Sequence, residues 1–134
     1  MKLTSKTICS IKLFVDLGEH YNEGFISLTD IAERKDISRK FMEQIIPLYK
    51  NSGLIVGARG NKGGYMLSKK PSLINLKDII YISEGNMANN SFSYSPLDYY
   101  LNDLDKYTYE YLSDITLDKL VDKQIESYSN YYDI

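Results

Sequence analysis

With 134 residues, 43% hydrophobic and 25% charged, the chain has the composition of one ordinary folded domain with a modest core. It has no apolar run near the roughly 18 residues that span a bilayer and no apolar leader at its start, so a cytoplasmic protein without a membrane partner is expected. A single cysteine excludes an internal disulfide and any multi-cysteine metal site, and the net charge of −2 divides into +5 over residues 1–70 (12 Lys/Arg, 7 Asp/Glu) and −7 over residues 71–134 (4 and 11).

Thr4 is placed to cap a first helix running to about His20, with Ile8, Ile11, Phe14 and Val15 as its apolar stripe. Lys2, Thr4 and Lys6 gather at its positive end, where the dipole and free amides favour a phosphate; plain solubility of a helix start is the alternative. Cys9, beside the apolar positions, reads as a small core or interface residue rather than a redox sensor. His20 closes the helix, where it can bond last-turn carbonyls, and as the single histidine it is a poor metal ligand.

Ser27 with Asp30 opens a second, short helix with Leu28, Ile31 and Ala32 on one face, and Ile37 fills the following turn. Ser38 caps a third helix, with Phe41, Ile45 and Leu48 predicted to face inward. Pro47 falls inside it and predicts a kink or a loosening after Ile46. Gly53 ends this helix, residues 54–59 and 65–67 read as strands, and Gly60 to Gly64 form the reversal between them. A hairpin directly after a helix-turn-helix is a wing, and the second helix of that pair is the reading helix.

The polar groups suit that assignment. Ser38, Arg39, Lys40, Glu43 and Gln44 stand on the first turns of the reading helix; arginine pairs with guanine, glutamine with adenine, and a carboxylate accepts from the cytosine amino group. Arg59 at the hairpin offers a guanidinium to a minor groove, while Lys62 and the Gly60, Gly63 and Gly64 backbone can approach phosphates closely. The basic half of the chain is the half that carries these groups. A merely solvated basic face is the competing reading of each lysine or arginine alone.

Further on, Pro71 closes the wing, and Asn75 with Asp78 caps a helix through Ile79, Ile80 and Ile82 that stops at Gly85. Asn86 to Ser95 has no charged residue and reads as a loop open to disorder. From Pro96 the helical period returns, with Leu97, Leu101, Leu104, Thr108 and Tyr111 on one stripe and Tyr100, Tyr107 and Leu112 beside it. So broad an apolar and aromatic face is predicted to meet the same helix of a second copy; folding back onto its own winged helix is the alternative. Thr116 caps a closing helix with Leu117, Leu120, Val121 and Ile125 inward, and the tail from Ser127 is expected to fray. Nine of the 13 tyrosines lie from Tyr94 onward, read as packing before a ligand-lining surface.

Met1 to Thr4, Ser27 to Arg34, Ile37-Ser38, Phe41 to Ile45, Ser52 to Ile55, Arg59-Gly60, Gly63-Gly64-Tyr65 and Leu67 together resemble the Rrf2 family of bacterial winged-helix regulators, over nearly the whole chain to about Glu126. Members are homodimeric transcription factors, several of which hold an iron-sulphur cluster through three cysteines in the loop before the dimerisation helix. The resemblance implies DNA binding, with Lys2, Thr4 and Lys6 touching the DNA backbone. It implies no cluster here, because the corresponding loop contains no cysteine, and asparagine and serine oxygens replace thiolates poorly. Cluster-free members respond to a metabolite or a partner protein, which would place a ligand under Asn86 to Tyr100 or an enzyme of sulphur metabolism on the acidic helices.

The expected fold is mainly α with a small β wing: a winged helix-turn-helix over 1–84, a flexible loop over 85–96, and dimerisation helix, closing helix and tail over 97–134. The expected function is a homodimeric regulator, a repressor, on a partly palindromic duplex, without cofactor or metal. An adaptor that keeps the winged helix but does not read DNA is the alternative. Catalysis has no footing: there is no Ser/His/Asp set, and the glycines between two strands do not open a helix as a phosphate loop does.

Overall fold

Three polar caps start the first three helices. In the computed structural model, which describes residues 2–85 and 95–132, Thr4 Oγ1 accepts from the Thr7 amide to open α1 (Ser5–Glu19), Ser27 Oγ from the Asp30 amide to open α2 (Leu28–Lys35), and Ser38 Oγ from the Phe41 amide to open α3 (Arg39–Asn51). Asp36 takes the left-handed conformation (φ 51°) that turns the chain between α2 and α3. The end of α3 is a Schellman motif: the Leu54 amide donates to the Tyr49 carbonyl, the Gly53 amide to that of Lys50, and Gly53 sits at φ 80°.

β1 (Ile55–Ala58) and β2 (Gly64–Leu67) pair antiparallel, Ile55 opposite Leu67 and Ala58 opposite Gly64. A third strand position, unforeseen from the sequence, comes from Ile26, whose amide and carbonyl both bond Tyr65 on the outer edge of β2. A short 3-10 turn, Pro71–Leu73, leads to α4 (Leu76–Glu84), capped by Asn75 through the Asp78 amide. α5 (Ser95–Ser113) and α6 (Leu117–Tyr132) complete the described chain.

α1 is the centre, packed by α2, α3, α4, α6 and β2. Its buried face is Leu13, Phe14, Val15 and Leu17 with Thr7, Ser10 and Asp16; the predicted stripe is corrected at Ile8, which is 42% exposed, and Ile11 is only half-buried. The face of α3 is likewise shifted by one residue: Met42, Ile45, Ile46 and Tyr49 are buried, while Phe41 and Leu48 lie at its margin. Tyr49 decides that rotation, its ring edge-on to Phe14 at 4.7 Å and its hydroxyl donating to the Ile79 carbonyl at 2.7 Å. Pro47 does not end the helix, which runs on to Asn51.

The closing helix shares this core. Leu117 and Val121 join the buried cluster, and the amides of Leu76 and Leu117 donate to Ile115 and Ile74 at 2.8 Å, tying the start of α6 to the start of α4. Ile125, expected inward, is 51% exposed; α6 runs to Tyr132, and the last two residues of the predicted tail lie outside the described residues. α5 begins at Ser95; the rest of the predicted loop, residues 86–94, lies outside the described residues.

Candidate nucleic-acid interface

The α2–turn–α3 unit is fixed from behind by charge as well as by apolar packing. Asp16, fully buried on α1, takes a bidentate pair from Arg34 on α2, with Nε to Oδ1 at 2.8 Å and Nη2 to Oδ2 at 3.0 Å. The hydrogen bond to Asp16 holds the Arg34 guanidinium charged above its ordinary range. The next residue, Lys35, reaches Glu19 at 2.6 Å and lies over the ring of Tyr128 on α6. Burial opposes the Lys35 charge, and the hydrogen bond and attraction of Glu19 outweigh it, so its pKa rises. These clamps escaped sequence reasoning because partners 16 and 18 residues apart leave no local signal.

Against that backing, α3 presents a polar face. Ser38, Arg39, Lys40, Glu43 and Gln44 are all exposed, on adjoining turns of one side of the helix, with Met42, Ile45 and Ile46 turned to the core. Ser38 Oγ accepts from the Phe41 amide at 3.2 Å, which leaves its proton free to donate outward. Arginine, lysine, carboxylate and amide groups in this arrangement form a bidentate-capable set of the kind that reads base edges.

The hairpin stands beside it. Arg59, Gly60 and Lys62 are exposed at its tip, and the Gly63 amide closes the turn on the Gly60 carbonyl at 2.9 Å. Gly63 and Gly64 are half-buried, and internal crowding is what requires glycine there: a Cβ on Gly63 would run into the Ala58 carbonyl, and one on Gly64, at φ 146°, into that of Ile26. The Gly63 amide is therefore engaged within the turn and not free for a phosphate.

The start of α1 differs from expectation more sharply. Lys2 is exposed and Lys6 half-buried, but the anion at this helix end is internal. Glu84, on the last turn of α4, accepts from the Thr4 amide and from Thr4 Oγ1, both at 2.9 Å. The Thr4 amide, then the threonine hydroxyls and nearby Lys6, hold the Glu84 carboxyl below its usual range. The Thr4 hydroxyl, predicted to meet DNA, is exposed and bonds Glu84 and the Thr7 amide.

The residues predicted for dimerisation are brought onto one side of α5. Leu97, Tyr100, Leu104 and Tyr111 are 39%, 69%, 58% and 70% exposed, with Leu101 and Thr108 half-buried between them. The opposite side meets α4, where the Tyr109 ring lies 5.9 Å from that of Tyr81 and 4.6 Å from the Lys77 ammonium.

A family model described as Rrf2, an iron-dependent transcriptional regulator, matches residues 3–123. The chain belongs to the Rrf2 family of DNA-binding transcriptional regulators. Within curated proteins it is 34% identical over 88 residues to CymR of Bacillus subtilis, covering 66% of this chain and 64% of CymR. It is 37% identical over 81 residues to IscR of Photorhabdus laumondii, covering 60% of this chain and 49% of that protein. The matched segments thus span about half to two thirds of these relatives. The solved structure of T. potens IscR superposes at a TM-score of 0.81 and 32% identity, covering 95% of this chain and 90% of that one.

Iron is named in the family's description, and the donor set of this chain does not fit an iron-sulphur cluster. The whole sequence holds one cysteine, Cys9, half-buried on α1 against the core. Among the described residues no three His, Cys, Asp or Glu side chains gather as metal ligands, and no helix is long and apolar enough to cross a membrane.

Proposed function

We propose that this Rrf2 protein is a homodimeric repressor acting on a partly palindromic operator, switched by a metabolite or a partner protein and not by a cluster. The observation that carries the reading is the exposed polar stripe from Ser38 to Gln44 at the start of α3, on a helix whose opposite side is wholly committed to the core. Ser38, Arg39, Lys40, Glu43 and Gln44 read base edges in the major groove; Arg59 enters the adjacent minor groove; Lys2, Lys6 and Lys62 neutralise phosphates, with Gly60 and its neighbours bringing the hairpin backbone close. Two copies joined through the bare side of α5 carry two reading helices to successive groove faces about 34 Å apart.

The test is the affinity of the purified protein for the duplex upstream of its own gene and for a shuffled duplex, across a salt series. Preference for the native duplex, with affinity falling steeply as salt rises, is the expected result. Equal and salt-independent binding to both would replace this reading with that of an adaptor that no longer reads DNA.

A further inference from the structure

Between α3 and the hairpin lies an open cleft of about 330 Å³ that the sequence did not suggest. Its floor is apolar, from Met42 and Ile46, and Pro47 and Tyr65 form its walls. Lys50 and Asn51, both exposed, stand at one end. Glu43 stands at the other, two helical turns or about 10 Å away along α3. On the hairpin side, a Cβ on Gly57 would crowd the Tyr65 ring at 3.2 Å and lie in ordinary contact, 3.6 Å, with Lys50 Nζ, so the ammonium rests beside the strand. None of the ion pairs among the described residues uses Lys50.

We infer that this cleft carries the sugar-phosphate chain of one DNA strand, with Lys50 as a phosphate contact and the Pro47 and Tyr65 rings as surfaces for deoxyribose. The inference rests on the DNA-reading function proposed above. If α3 enters one groove and the hairpin the next, the strand separating those grooves must pass between the two elements, which is where the cleft lies. Its apolar surface beside the Lys50 ammonium complements a deoxyribose followed by an anionic phosphate. Glu43 is an anion on the same cleft and would repel a phosphate, but its distance from Lys50 puts it over the base edges, where a carboxylate accepts from a cytosine amino group. The Pro47 ring gives the helix side of the cleft an apolar surface for that sugar.

Salt titration of duplex binding separates this assignment from the function it rests on. One phosphate contact contributes a slope of about 0.9 in log affinity against log salt, so Lys50→Gln should lower that slope by about 1 and cost about eightfold in affinity at 0.1 M salt. The loss should be the same on the native and shuffled duplexes, because phosphates carry no sequence information. Lys50→Arg should restore both slope and affinity. A Lys50→Gln protein with the wild-type slope would overturn the assignment while leaving the DNA-reading function standing; a wild-type protein with no salt-dependent binding would overturn both.

Discussion

Glu43 and Arg34 show how differently two charged residues of one helix-turn-helix act. Glu43 is exposed, and under the proposed function it serves discrimination, so Glu43→Ala should flatten the preference for a cytosine at one operator position by about 1–3 kcal/mol while affinity for unrelated duplex stays nearly constant. Binding to operators substituted one base pair at a time checks this, and an equal loss on every sequence would deny it the reading role. Arg34 works inward. Removing it in Arg34→Ala leaves the fully buried Asp16 carboxylate without its bidentate partner, a loss of about 3 kcal/mol in urea unfolding. Asp16→Asn should cost less, because Arg34 is 38% exposed and can turn to water.

At the scale of elements, α3 contains its own weakness. Pro47 cannot donate to the Glu43 carbonyl, yet the helix continues because Ile45, Ile46 and Tyr49 on either side are held in the core. Pro47→Ala should therefore raise stability by about 1–3 kcal/mol, read as a higher Tm. The α4–α1 contact should depend on pH. The lowered pKa of Glu84 means that its contribution is fully present above the ordinary value near 4.5 and is lost as the pH falls through the lower folded one. Glu84→Gln should thus be less stable than the parent at pH 7, with the two converging below pH 4.5 in acid unfolding; a constant difference down to pH 2 would mean that the carboxylate's charge is not what ties α4 to α1.

For the whole molecule, one side of α5 is left bare by the described residues. Leu104, 58% exposed at its middle, lies where a second copy would bury it. Leu104→Asp should shift the protein from dimer to monomer in sedimentation and weaken operator binding more than tenfold, since each half-site then binds alone. A variant that sediments as the parent does would place the interface elsewhere.

The caps at Thr4, Ser27, Ser38 and Asn75, the glycine exit from α3, the hairpin with its Gly60–Gly64 turn, and the polar start of the reading helix were all legible in the chain, because caps, glycine turns and short-range periodicity act within a few residues. What tertiary packing alone decided is longer in reach. Tyr49 rotated α3 by filling the space beside Phe14, Asp16 drew in Arg34 across two helices, Glu84 bonded Thr4 at the start of α1, and Leu117 and Val121 of α6 joined the common core. Each depends on side chains brought together from distant positions, where the free energy of burying a charge or filling a cavity outweighs the few tenths of a kcal/mol that local preference supplies.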